Sequence, residues 1–129
     1  MTVRRSVVAI VDDDPRLRES VEELLESAGY IARSYASASA FQNGGLANVD
    51  LVITDIGMPD MDGFDLRDWV RTARPNLPVF LITGRHEIAD QSRARDTAGF
   101  FRKPFDGDEL LAAIDEALRC ETEEGDDGA

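Results

Sequence analysis

A doubly wound α/β domain built on a parallel sheet is the fold this 129-residue sequence predicts, and three observations predict it. Short apolar runs of strand length recur at Ser6–Val11, Leu51–Thr54 and Pro78–Thr83. These runs are continuous rather than alternating, as in strands covered on both faces. Between them lie longer stretches with apolar residues at helical spacing, which is the βαβ rhythm of right-handed crossovers.

The elements follow in order. Ser6–Val11 forms the first strand and ends in the triplet Asp12-Asp13-Asp14. Pro15 fits the first turn of a helix capped by Asp14. Leu17, Val21, Leu24, Leu25 and Ala28 form its inner face, and Gly29 stops it. Tyr30–Tyr35 is the second strand. Ser37–Gln42 is a short helix with Asn43-Gly44-Gly45 as its exit loop. Leu51–Asp55 is the third strand, followed by a loop built from Gly57, Pro59, Asp62 and Gly63. Leu66, Trp69, Val70 and Ala73 mark a third helix ended by Pro75. After the fourth strand, Pro78–Thr83, the segment His86–Ala98 has a helical composition with Ile88 as its one large apolar residue, so a poorly anchored fourth helix is expected. Gly99–Lys103 is the fifth strand. Asp106 or Asp108 caps a last helix with Leu110, Leu111, Ile114, Ala117 and Leu118 inside. The expectation is one domain over residues 1–120, with five strands and five helices, and an acidic tail over 121–129 that frays into solvent.

Composition excludes several classes of function. A formal net charge of -12 opposes non-specific binding to nucleic acid. No apolar run has the length of a membrane span, and the N-terminus leads into a strand rather than a signal peptide. Cys120 is the sole cysteine and cannot pair within the chain, which fits a reducing, cytoplasmic setting.

The chemistry gathers at the strand ends. Asp12 and Asp13 end the first strand, Asp55 the third, Thr83 the fourth and Lys103 the fifth, so a parallel sheet brings all of them to one rim. Three crowded carboxylates need a counter-charge. Hard oxygen ligands favour Mg²⁺ over zinc, with Mn²⁺ as a substitute, and Mg²⁺ accepts a phosphoryl oxygen. Lys103 adds a point charge and Thr83 a hydroxyl, both suited to phosphoryl oxygens. Lys103 is also the one lysine among 14 basic residues. Arginine-rich codon usage explains that equally well, but its place at a strand end favours a functional ammonium.

With these residues in place, the chain resembles a response-regulator receiver domain of two-component signalling. The resemblance runs from Val7 to Leu118 and rests on Asp12-Asp13, on Asp55 with Met58-Pro59-Asp60-Met61-Asp62-Gly63, on Thr83-Gly84 and on Lys103-Pro104-Phe105. It implies the flavodoxin-like strand order 2-1-3-4-5. It also implies that Asp55 is the phosphoacceptor, taking a phosphoryl group from a histidine kinase or a histidine phosphotransfer protein. Asp13 would bind Mg²⁺ directly, Asp12 largely through water, and Gly57 through its backbone carbonyl. Lys103 would pair with Asp55 and then with the phosphoryl group, across a cis bond to Pro104. Thr83 and Phe100 would form the switch, with the inward rotamer of Phe100 partly populated even without phosphate; a plain core role for Phe100 or Phe101 is the competing reading. The family's usual output face, formed by the fourth helix, the fifth strand and the last helix, would meet a downstream protein or a second copy of the phosphorylated chain. Gly57 and Arg85 would tune phosphoryl lifetime, although Arg85 reads equally well as a solvated loop residue.

The resemblance is not uniform. The span from Thr83 to Lys103 is shorter than the family pattern, and Asp96-Thr97 stands where Gly-Ala is common. Tyr35-Ala36-Ser37-Ala38 and Lys103-Pro104-Phe105-Asp106 have the flavour of nitrogen-fixation-type regulators. No recognition helix or catalytic domain follows Leu118, so output by protein contact is expected if Ala129 ends the protein, whereas regulators of the nitrogen-fixation type often carry a DNA-binding domain. His86 reads as a solvated loop residue, Trp69 as core, and Asp60 and Asp62 as turn formers. Two other functions fit the residues less well. A haloacid-dehalogenase-like phosphatase also uses a strand-end aspartate, but it wants a second acid where Gly57 stands. A non-phosphorylated pseudo-receiver is opposed by the complete set of site residues.

Overall fold

The computed structural model describes residues 5–58, 61–84, 99–103 and 105–127, with side chains through 119. The segment His86–Ala98, together with Arg85 and Pro104, lies outside the described residues, and with it the expectations of a fourth helix and of a cis bond.

Five parallel strands form one sheet in the order β2-β1-β3-β4-β5. They are β1 (Val7–Val11), β2 (Ile31–Tyr35), β3 (Leu51–Asp55), β4 (Val79–Thr83) and β5 (Gly99–Arg102). Four helices occur among the described residues: α1 (Pro15–Ser27), α2 (Ala38–Gly44), α3 (Gly63–Ala73) and α4 (Gly107–Asp127). Every residue of β1, β3 and β4 is buried. Both faces of these three strands are covered, which is why their apolar runs show no alternation in sequence. The edge strand β2 is wetter, and Ile31 is its exposed large apolar residue.

Period-2 geometry nevertheless splits the core in two. Ala9, Val11, Val52, Val79 and Leu81 face a cluster completed by Phe41 of α2 and by Phe64, Leu66 and Val70 of α3. Val8, Ile10, Leu51, Ile53, Phe80 and Ile82 face the other, completed by Val21 and Leu25 of α1 and by Leu110 and Ile114 of α4. Truncating a fully buried member such as Ile53 or Leu81 to alanine removes about 2–5 kcal/mol of stability. Trp69 is half-buried against the first cluster, edge-on to Phe41 at 6.1 Å, as expected of a packing residue.

Several helix ends differ from expectation. Ala28 and Ala73 are exposed, because α1 ends at Ser27 and α3 ends at Ala73 itself. Asn43 and Gly44 belong to α2 rather than to its exit loop. The Tyr35 ring lies 3.0 Å from where a Cβ on Gly44 would stand, so a larger residue there would require the ring to shift. Asp106 caps α4, accepting from the Asp108 N–H at 2.8 Å. The backbone of α4 continues through 121–127, the segment expected to fray. Its glutamates are good helix formers, and extending an existing helix is far easier than starting one.

The strand that matters most is held at both ends. Upstream, Arg74 Nη1 at the C-cap of α3 donates to the carbonyls of Leu46 and Val49, each at 2.8 Å. Between those carbonyls Asn48 adopts φ 65°, a left-handed position that asparagine tolerates. Asp50 Oδ2 accepts from the Val7 N–H at 2.8 Å, tying the start of β3 to β1. Downstream, the chain folds back onto the end of β3. The Gly63 N–H donates to the Ile56 carbonyl at 3.0 Å, and Asp62 caps α3 by accepting from the Phe64 N–H at 2.6 Å.

Gly63 is fixed by space. A Cβ there would lie 2.5 Å from the Asp55 carbonyl oxygen and 2.9 Å from Ile56 Cα, both unyielding backbone atoms. Gly63→Ala is therefore expected to force β3 and α3 apart, destabilising the domain by about 1–3 kcal/mol. Thermal unfolding measures that loss, and the amide resonances of Asp55 and Ile56 should shift most.

Candidate functional site

The site lies where β1, β3, β4 and β5 end. Asp55, the last residue of β3, is buried at 7% exposure, and Asp12, immediately after β1, at 1%. Asp13 follows and is exposed. Carboxylate oxygens from all three approach within 4.8 Å of one another. The Lys103 ammonium lies between the two buried acids, 3.4 Å from Asp12 Oδ2 and 3.6 Å from Asp55 Oδ1. The sequence pointed to a pair with Asp55; the geometry makes it a bridge.

Local backbone bonds put these groups in position. The Lys103 N–H donates to the Thr83 carbonyl at 2.7 Å, continuing the β4–β5 ladder past its last residue and setting the lysine at the rim. The Asp12 N–H donates to the Tyr35 carbonyl at 3.1 Å, which does the same for β1 against β2. Asp12 Oδ1 accepts from the Asp14 N–H at 2.8 Å, and Asp14 Oδ1 caps α1 by accepting from the Arg16 N–H at 2.9 Å. The acidic triplet thus divides its roles: two residues face the site, and the third starts the helix.

Thr83 is fully buried at the end of β4, one strand from Asp55. Gly57 is exposed, and a Cβ there would meet nothing within 4 Å. Phe100 is half-buried against the cluster that contains Leu81, whereas Phe101 points to the opposite face and lies 5.6 Å from Phe80. Neighbouring phenylalanines on one strand therefore serve different cores. Arg85 and Pro104 lie outside the described residues. Residues that sequence reasoning missed are Arg18, whose Nη1 donates to the Asp12 carbonyl at 2.7 Å, Asp62 as a helix cap, and Gly63 as a steric requirement. The Asp-Gly pair could have flagged the last two; nothing in the pattern flags an arginine inside a helix.

Electrostatics set these acids against one another. Burial raises the Asp55 carboxyl above the ordinary range; Lys103 and the Gly57 N–H pull it down, and Asp13 adds to the rise. Burial also raises Asp12, against the Asp14 N–H and Lys103, with Asp55 adding to the rise. Two partly desolvated acids share one ammonium, so negative charge is left over. An oxygen-only set of this kind fits a hard divalent cation such as Mg²⁺, which would take up that charge.

Both pKa values lie above their unfolded values, so the folded state binds more protons. This contribution is unfavourable above the folded pKa values and is relieved as pH falls through them. In EDTA at neutral pH, Asp12→Asn is expected to raise the melting temperature by a few degrees. The gain should shrink at mildly acidic pH, as the raised carboxyls of the native site begin to take up protons. Thermal unfolding of both chains at the two pH values checks the sign.

Among the described residues no helix is long and apolar enough to cross a membrane. The model for the response regulator receiver domain matches residues 8–115. The response regulator protein TodT of Pseudomonas putida is 34% identical over 122 residues, covering 92% of this chain and 54% of that protein. The transcriptional regulatory protein FixJ of Azorhizobium caulinodans is 31% identical over 121 residues, covering 92% of this chain and 57% of the relative. The chain thus spans about half the length of these curated relatives. Among solved structures, a CheY-like receiver domain from Methanospirillum hungatei JF-1 superposes with a TM-score of 0.86 at 26% identity, covering 94% of this chain and 99% of its own. The signal receiver domain of an HD domain-containing protein from Pseudomonas fluorescens Pf-5 gives 0.84 at 27% identity, with 93% and 99% covered. The strand order, the rim of acids and the match over residues 8–115 agree, and the chain belongs to the response-regulator receiver family.

Proposed function

We propose that this receiver is a phosphorylation switch in which Asp55 accepts a phosphoryl group from a phosphohistidine on a partner kinase or phosphotransfer protein. The observation that carries the reading is the convergence of Asp12, Asp13 and Asp55 around the Lys103 ammonium. An Asp55 carboxylate oxygen attacks phosphorus in line as the P–N bond to the histidine breaks. The electron pair of that bond leaves with the imidazole, so Asp55 becomes an acyl phosphate. Asp12, Asp13, Asp55 and the Gly57 carbonyl would hold Mg²⁺, whose charge offsets that of the phosphoryl oxygens.

The chain's own groups do the rest. Lys103 is close enough to Asp55 to exchange a carboxylate partner for a phosphoryl oxygen. Its backbone bond to the Thr83 carbonyl couples that exchange to the end of β4. The Thr83 hydroxyl donates to a second phosphoryl oxygen, and the space it leaves is taken up by Phe100, which already packs on the same core as Leu81. The readout passes to a protein partner or to a second copy of the chain. FixJ is described as a transcriptional regulatory protein; by analogy, an output that ends in gene expression fits this chain too. The domain acts as a signalling module rather than as a phosphatase, because Gly57 stands where a dehalogenase-type enzyme needs its second acid.

Incubation with a panel of radiolabelled histidine kinases tests the central claim. Mg²⁺-dependent label should appear on the wild-type chain and vanish in Asp55→Asn; label that survives the substitution overturns the assignment. Replacing Phe100 with alanine should leave the initial labelling rate within about threefold of wild type. It should also weaken the chemical-shift response of β4 and β5 to beryllofluoride, and an undiminished response removes Phe100 from the switch.

A further inference from the structure

Arg18 lies in the second turn of α1, and its guanidinium reaches back over the helix N-terminus. Nη1 donates to the main-chain carbonyl of Asp12 at 2.7 Å, a bond between residues six apart. Asp12 is thereby held at three points besides its pair with Lys103: through its N–H by Tyr35, through Oδ1 by the Asp14 N–H, and through its carbonyl by Arg18. The carbonyl belongs to the planar peptide that joins Asp12 to Asp13, so fixing the oxygen fixes the direction in which Asp13 leaves the strand. Asp13 is exposed, and burial does not orient it.

Resting on the phosphoacceptor reading above, we infer that Arg18 is a positioning residue for the divalent cation. It touches neither the cation nor the phosphoryl group. It holds the Asp12–Asp13 peptide so that the Asp13 carboxylate stays within 4.8 Å of its two partners. Outer partners of this kind orient ligands and raise metal affinity. As a bare charge the same guanidinium would do the reverse, since a cation beside three acids repels a second cation. The two roles predict opposite signs, which makes the assignment measurable.

Calorimetric titration of Mg²⁺ into the full chain, with circular dichroism melts as a fold control, compares wild type, Arg18→Met and Arg18→Lys. Arg18→Met removes donor and charge together, and its affinity should fall about tenfold. Arg18→Lys keeps a donor one atom shorter and should recover part of the loss. A folded Arg18→Met chain that binds Mg²⁺ as tightly as wild type, or more tightly, overturns the inference and leaves the phosphoacceptor reading intact. Should Arg18→Met fail to fold, Arg18→Gln, which loses the charge and whose amide nitrogen is two atoms closer to the backbone than Nη1, carries the test, and an affinity equal to wild type is then the overturning result. Wild type that binds no Mg²⁺ overturns the cation reading of the site, and this inference with it.

Discussion

The ammonium of Lys103 between Asp12 and Asp55 is the interaction around which the rim of this domain is arranged. Two carboxylates at low exposure repel each other and lose hydration, and burial raises both pKa values. One compact cation is enough to let them coexist and too little to neutralise them. The site is accordingly a place where added positive charge is welcome. A guanidinium is broader and more weakly hydrated, and its fork is shaped for one bidentate carboxylate rather than for two acids on separate strands.

That arrangement depends on the sheet being parallel. Strands running the same way end at the same edge, so residues 12, 55, 83 and 103 become neighbours although the chain separates them widely. The backbone bond from Lys103 to Thr83 then places the cation by main-chain geometry instead of by the flexible side chain alone. Two separate cores support this edge, one on each face. Phe100 and Phe101 belong to different ones, so β5 is in register with both layers at once.

Much of this was legible in the sequence, for physical reasons that differ by element. Continuous apolar runs ending in Asp12, Asp55 and Thr83 identified buried strands and the rim together, because burial on both faces leaves no room for polar residues until the strand ends. The Asp14-Pro15 cap was legible because capping chemistry is local. Helix ends were less so: α2 runs on through Asn43 and Gly44, where the Tyr35 ring packs close, a contact between elements that no local pattern encodes. The same holds for Gly63, whose need arises from the backbone of Asp55 across the loop, and for Arg18, whose bond to Asp12 depends on how α1 is set against β1.

The pair of hydrogen bonds from Arg74 to Leu46 and Val49, taken with the closure of Gly63 onto Ile56, gives β3 a mechanical character. The strand that carries Asp55 is clamped before its first residue and after its last, so it behaves as the fixed jaw of a vice. A change of charge at its tip has no slack to take up in β3 itself. On the neighbouring strand β5 the anchoring is of another kind and includes a lysine side chain at its end and a half-buried ring. The two sides of Asp55 therefore differ in how firmly they are held.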